Sequence, residues 1–355
     1  MKKIKKFIAK HGARKKLTPE RSLEKAIRGI PRITNETVAE HREEVLGSAR
    51  KYIYPLQHSP HRVIIVSAAI TAAALITFFT YSLLALYRFQ SSSTFIYRVA
   101  QVIPFPVAKA GSSYVSYESY LFELRHYIHY YQTQQKVDFK SDSGQRQLKE
   151  FRQQALDGVI QDAYVKRLAK EHKISVSNRE VNDQVALIQA QNRLGDNPKA
   201  FSDVLKEFWG WSLDDFKREL RQQMLAQKVV ATLDTKAQQR AKTVHDQLVA
   251  GADFGDLAMK NSDDHTTGPD GGRYGFAITR TNRDVPPAVL NEMFRLKAGE
   301  TSDVINAGSS LEIVKVFETN GTEVQAGHIG FAFQPLSTYV DPVQKQSPAH
   351  KYIAP

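Results

Sequence analysis

This chain's acid–base and ligand chemistry rests on histidines and carboxylates, because its 355 residues contain no cysteine. That removes thiol catalysis, disulfides and Cys-ligated metals. His126 and His129 stand three apart on a Tyr-rich helical stretch, a spacing able to hold a metal ion. Surface or groove residues are the plainer reading of both, and no metal or cofactor is expected. His245 falls on a helical stretch and is expected to be exposed. His328 lies in VQAGHIGFAF (324–333), whose alternation reads as a strand. Its plain reading is a hydrogen-bonded sheet histidine. Asp264 closes NSDD (261–264), where it can simply end a helix.

The element that organises the rest is Val63 to Tyr87, VIIVSAAITAAALITFFTYSLLALY, with no charge and no proline. Twenty-five helical residues reach about 37 Å, enough for a hydrocarbon core of about 30 Å with tilt. Arg62 and Arg88 bracket the run, and Tyr81 and Tyr87 suit an interface. It is too long and starts too late for a cleaved signal peptide. The formal net charge of +12 is uneven: residues 1–62 hold 16 Lys+Arg against 6 Asp+Glu. Positive charge stays on the cytoplasmic side. The expectation is a single-pass protein of the cell membrane, with a basic cytoplasmic tail (1–62), a transmembrane helix (63–87) and extracytoplasmic domains beyond. The tail would meet anionic headgroups of the lipid bilayer; nucleic acid is not expected as a partner.

Residues 88–106, with Ser91 to Ser93 and the prolines of Ile103-Pro-Phe-Pro106, read as a linker. Helices follow. Ser116 can cap one from about Tyr117 to Tyr131. Leu148, Phe151, Ala155, Val159 and Ala163 make an apolar stripe on a longer one. Ser177-Asn-Arg-Glu180 is a capping box, after which Val181, Val185 and Ile188 share a face. Gly195-Asp-Asn-Pro198 is a turn, and Ser212 caps a helix with Phe216 and Leu220 inward.

The run LKEFRQQALDGVIQDAYVKRLAKEHKISVSNREVNDQV (148–185) resembles the N-terminal chaperone domain of SurA/PrsA-type foldases. So do FWGWSLDDFKRELRQQMLAQKV (208–229) and AKAGSSYVSYESYLFEL (108–124). Residues 236–333 resemble parvulin-type peptidyl-prolyl isomerases, with the pieces in family order. These are AKTVHDQLVAGADFGDLAMKNSDD (241–264), GGRYGFA (271–277), VLNEMFRLKAGETSDVI (289–305) and LEIVKVFE (311–318). The resemblance implies an α+β protein. It would have one transmembrane helix, a SurA-N-like helical domain (107–235) and a parvulin (FKBP-like) domain with a four-stranded antiparallel sheet (236–333). A C-terminal tail (334–355) would follow.

One piece is out of place. The family's opening strand reads approximately V-x-A-x-H-I-L, yet ATLDTKAQQR (231–240), where it should stand, is helical in composition. The matching strand comes last, at 324–333, after the hairpin signal Asn320-Gly321. In the family the first and last strands are adjacent and antiparallel, so a tight hairpin can join them. The expectation is a circularly permuted domain.

Prolyl isomerisation breaks no covalent bond; it needs an apolar slot for the ring and a polar wall favouring the twisted amide. Carried over by resemblance, the wall is His328, Asp264 and Glu312, with Glu312 where the family has a second histidine. The slot is Val285 and Val289, replacing Met and Phe, together with Tyr274 and Phe294. The resemblance implies a membrane-anchored foldase, a peptidyl-prolyl cis-trans isomerase and chaperone acting on unfolded or proline-containing exported polypeptides. The departures favour the alternative, a weak or inactive holdase.

Overall fold

The computed structural model describes residues 33–53, 60–191 and 197–355. The expectations for the tail before residue 33, and for the turn at Gly195 and Asp196, lie outside these residues. The chain divides into two compact units, Met1–Thr80 and Tyr81–Pro355.

In the first unit, α1 is Asn35–Ile53, with Glu36 in its first turn and Arg50 and Lys51 in its last. Both placements complement the helix dipole. Helix α2, Pro60–Leu83, starts here and crosses the boundary. Ile64, Ile65, Ile70 and Ile76 are all exposed, so α2 is not a core helix. It is long and apolar enough to cross a membrane.

The second unit opens with a π turn, Leu84–Arg88, in which Ala85 and Leu86 are buried. Then come α3 (Thr94–Val102), the hairpin β1 (Pro106–Ala110) and β2 (Ser113–Ser116), α4 (Tyr117–Thr133) and α5 (Asp142–Glu171). Next are α6 (Asn178–Gln191), α7 (Pro198–Trp209) and α8 (Leu213–Leu233). Ser116, Ser141 and Ser212 each accept from a first-turn backbone N–H, as N-caps do. Ser177 and Glu180 bond reciprocally. Val181, Val185, Phe201, Leu205 and Leu220 close the core of α6, α7 and α8.

Two expected boundaries are corrected. Residues 88–106 are not a free linker, since Ile96, Val99 and Ala100 of α3 are buried and α3 packs on α4. Residues 334–355 are not a free tail. They form α12 (Ser337–Gln346) and β7 (Ala349–Lys351), and β7 pairs antiparallel with β1. The first sheet has the order β2-β1-β7. In 88–106 Ile96, Val99 and Ala100 share one buried face of α3, whereas the few apolar residues of 334–355 find their partner, β1, far away in sequence.

The remaining elements are α9 (Thr235–Val249), α10 (Phe254–Asn261), β3 (Ile278–Thr279), α11 (Pro287–Met293), β4 (Ile305–Asn306), β5 (Ser310–Thr319) and β6 (Glu323–Ala332). The second sheet has the order β3-β6-β5-β4. β6 is therefore an inner strand, antiparallel to both neighbours. The connection from β5 is longer than a two-residue hairpin. The Asn320 carboxamide oxygen accepts from the backbone N–H groups of Thr322 and Glu323, and Gly321 has φ +88°. One face of the sheet sets Ile313, Ile329 and Phe331 against Val244, Phe254 and Leu257. The other sets Val314, Val316, Val324 and Ala326 against Ile278, Val285, Val289 and Met293.

Candidate active site

His328 pairs in register with Val314, and Glu312 with Gly330, so Glu312 is the diagonal neighbour of His328 on one sheet face. His328 Nδ1 lies 3.1 Å from Glu312 Oε2, and its Nε2 lies 2.8 Å from Asp264 Oδ2, both within hydrogen-bond reach. Asp264 lies three residues beyond the end of α10, whose last carbonyls the chain leaves through Ser262. Its carboxylate also accepts from the Thr266 N–H and the Thr267 hydroxyl, both at 2.8 Å. Thr267 Oγ1 in turn stands 2.9 Å from His328 Nε2. The Tyr274 ring stacks on the imidazole, with centroids 4.7 Å apart.

Two glycines let this cluster close. Gly272 has φ +77°, and a Cβ there would lie 2.4 Å from the His328 carbonyl oxygen. A Cβ on Gly327 would lie 2.8 Å from the Gly272 oxygen. The backbone contact they permit is His328 N–H to Gly272 O, 2.8 Å.

Electrostatically the cluster sets one imidazole between two acidic side chains. Burial opposes the charge on His328, but Glu312 and Asp264 outweigh it, and its pKa is raised. Burial likewise opposes ionisation of Asp264. The Thr266 N–H, the Thr267 hydroxyl and His328 prevail and hold it down at about 2. Burial, with Glu312 and Asp264 close by, pushes the Tyr274 phenol up. Both imidazole nitrogens are thus engaged by carboxylates, and the polar wall is satisfied within itself.

The expected slot differs. Val285 and Val289 are 1% and 0% exposed and belong to the core beneath the sheet, so neither offers surface to a ligand. Small β-branched residues fill the space that larger ones would line. Tyr274 and Phe294 pack at the edge of that core, and the Arg280 guanidinium lies 4.3 Å above the Phe294 ring. Thr267 was missed by sequence reasoning; its signal is the spacing from Asp264, which suits an Asx-type turn.

Among the described residues, His126, His129 and His245 do not assemble a site. His126 stacks on Trp211 at 4.4 Å, whereas His129 Nε2 bonds the Glu207 carbonyl at 2.9 Å. His245 is partly buried rather than exposed, with Nε2 3.4 Å from Asp303.

A separate cavity of about 1480 Å³ lies among β2, α4, α5 and α8. Tyr114 and Phe122 line it together with Glu123, Asp162, Lys166 and Arg218.

Comparison with known proteins assigns the two halves. The profile of the SurA-like N-terminal domain matches residues 58–230, and that of the PPIC-type peptidyl-prolyl isomerase domain matches 224–318. The chain joins a SurA-like N-terminal domain to a PPIC-type rotamase domain. Among curated relatives, YacD of Bacillus subtilis is 26% identical over 204 residues, covering 50% of this chain and 68% of that protein. The foldase protein PrsA of Clostridium botulinum is 22% identical over 213 residues, covering 50% and 63%. The chaperone SurA of Escherichia coli is 27% identical over 193 residues, covering 52% and 42%. The chain thus spans less than two thirds of the length of PrsA and of SurA. The PPIC-type match ends at 318, before the histidine-bearing strand β6.

Proposed function

We propose that this protein is a membrane-anchored foldase for exported polypeptides, a chaperone with prolyl cis–trans isomerase activity weaker than the family's usual level. The observation that carries the reading is the placement of His328. It stands on the inner strand of a rotamase-type sheet, between Asp264 and Glu312. In this reading the sheet is circularly permuted: β6 takes the place of the family's first strand, and α9 stands where that strand would be. A proline-containing segment would meet Tyr274 and Phe294, with its carbonyl toward His328. The uncatalysed barrier is about 18–20 kcal/mol. A wall whose donors are already engaged lowers it less than one holding them free. The charge of residues 1–62 supports a cytoplasmic N-terminus, with anionic lipid headgroups as partners of that tail.

The test is an isomerisation assay on proline tetrapeptides with the full chain in detergent. Activity well below that of an ordinary parvulin, and lost in His328→Ala, is expected. Full family-level activity would overturn the reading of the site.

A second reading, a holdase without isomerase activity, is favoured by the internal satisfaction of His328 and by the large cavity among α4, α5 and α8. It predicts undiminished suppression of client aggregation in His328→Ala.

A further inference from the structure

The junction between α2 and the folded domain carries apolar surface that neither half of the proposed function uses. Along 82–86 one face of the chain is covered by protein: Ser82, Ala85 and Leu86 are buried, whereas Leu83 and Leu84 are exposed, and the Tyr117 hydroxyl donates to the Leu86 carbonyl at 2.5 Å. The Tyr87 hydroxyl donates to the Pro106 carbonyl at 2.6 Å. One face of the last turns of the apolar run therefore belongs to the domain. The stretch before this cover begins is Val63 to Tyr81. Its nineteen residues rise about 28 Å, against a core of about 30 Å. Tyr81 then stands at the boundary between acyl chains and headgroups, where tyrosine is favoured.

The ring of Phe95, at the start of α3, lies 6.2 Å from the Tyr81 ring. That contact brings α3 to the depth of Tyr81. The inner face of α3 is spent on the domain through Ile96, Val99 and Ala100. Its outer face keeps Phe95 53% and Val102 83% exposed, and Phe89, just before it, is 68% exposed. Arg88 and Arg98 are exposed among them. Apolar side chains mixed with arginines suit a helix lying along a membrane surface.

We infer that α3 lies in the plane of the membrane surface. Phe89, Phe95 and Val102 are seated at the acyl boundary, and Arg88 and Arg98 meet lipid phosphates. The occupant of this face is the phospholipid bilayer itself, because Phe95 contacts Tyr81, which stands at the end of the apolar run. The inference rests on the membrane-spanning reading of α2.

The cysteine-free chain makes the test clean. Single variants Leu75→Cys, Phe95→Cys, Val102→Cys and Lys149→Cys of the full chain carry nitroxide labels in phosphatidylcholine–phosphatidylglycerol vesicles. Collision with oxygen is compared with collision with a water-soluble nickel complex. Labels at 95 and 102 should favour oxygen severalfold, as the label at 75 does, whereas the label at 149 on α5 should favour nickel. If either 95 or 102 behaves like 149 while 75 stays in lipid, the span stands and the surface helix is overturned. If 75 also favours nickel, the spanning reading falls and this inference falls with it.

Discussion

Glu123 and Asp162, in the cavity of the helical domain, and Asp264, in the sheet domain, are carboxyl groups shielded from water to opposite effect. Burial, then Glu219 and Asp162, pushes Glu123 up to about 8. Burial pushes Asp162 up to about 6, with Lys166 opposing. Asp264 is held down at about 2 because a backbone N–H, a hydroxyl and an imidazolium converge on it. The donors that reach a carboxylate, more than its burial, decide its state. The sheet site has matched its polar groups internally and is preorganised. The cavity leaves polar capacity facing open space, which suits clients of varied sequence.

The most drastic way to separate the regions is to end the chain after Thr322. The inner strand β6 disappears, and the facing backbone groups of β3 and β5 lose their partners. Loss of the cooperative thermal transition of the sheet domain is expected; a melt at the unaltered temperature would refute the assigned role of β6. His328→Ala should come next, at about 3 kcal/mol in urea unfolding, because Glu312 and Asp264 lose the charge they face. Glu123→Gln in the cavity should be neutral or stabilising at pH 7, since that carboxyl already holds its proton there. Equal losses from the two variants would erase the contrast. Val289→Phe should cost about 1–3 kcal/mol through overpacking, because Val289 sits within the core. A gain in isomerase activity without loss of stability would show instead that a slot is present.

The smallest effects lie in pH. The folded pKa of His328 is raised, so its stabilisation is complete below about 6.5 and is lost as pH rises through the folded value. Asp264 is depressed, so its contribution is complete above its ordinary 3.8 and is lost as pH falls toward about 2. Glu123 acts with the opposite sign. Folded protein keeps its proton up to about 8, unfolded chain releases it near 4.5, and stability falls with pH between those values. Unfolding of Glu123→Gln at pH 4.5 and pH 8 should show a gain over the parent at the higher pH alone.

Much of the fold was legible because it is written in local chemistry. Serines marked helix starts at 116, 177 and 212, and alternation marked 324–333 as a strand with His328 and Ala326 on one face. The site was legible through His328, Asp264 and Glu312 as positions, although not through their mutual bonds. Those depend on a diagonal across β5 and β6 and on two glycines that let backbones meet. Val285 and Val289 misled, because size alone does not say whether a residue lines a slot or fills the space beneath it. Residues 334–355 misled for a different reason, because their order comes from β1, far along the chain, while in 88–106 the serines and prolines drew attention away from the apolar face of α3.

The pairing of β7 with β1 has a temporal consequence. Gln90 Nε2 donates to the Ala354 carbonyl across 264 residues, and Lys351 reaches Asp157 across 194. During synthesis the earliest part of the helical domain emerges long before the strand that completes its sheet. Until residues 349–351 arrive, one edge of β1 stays open to any passing extended segment. Pairing of that edge with β7 completes the three-stranded sheet.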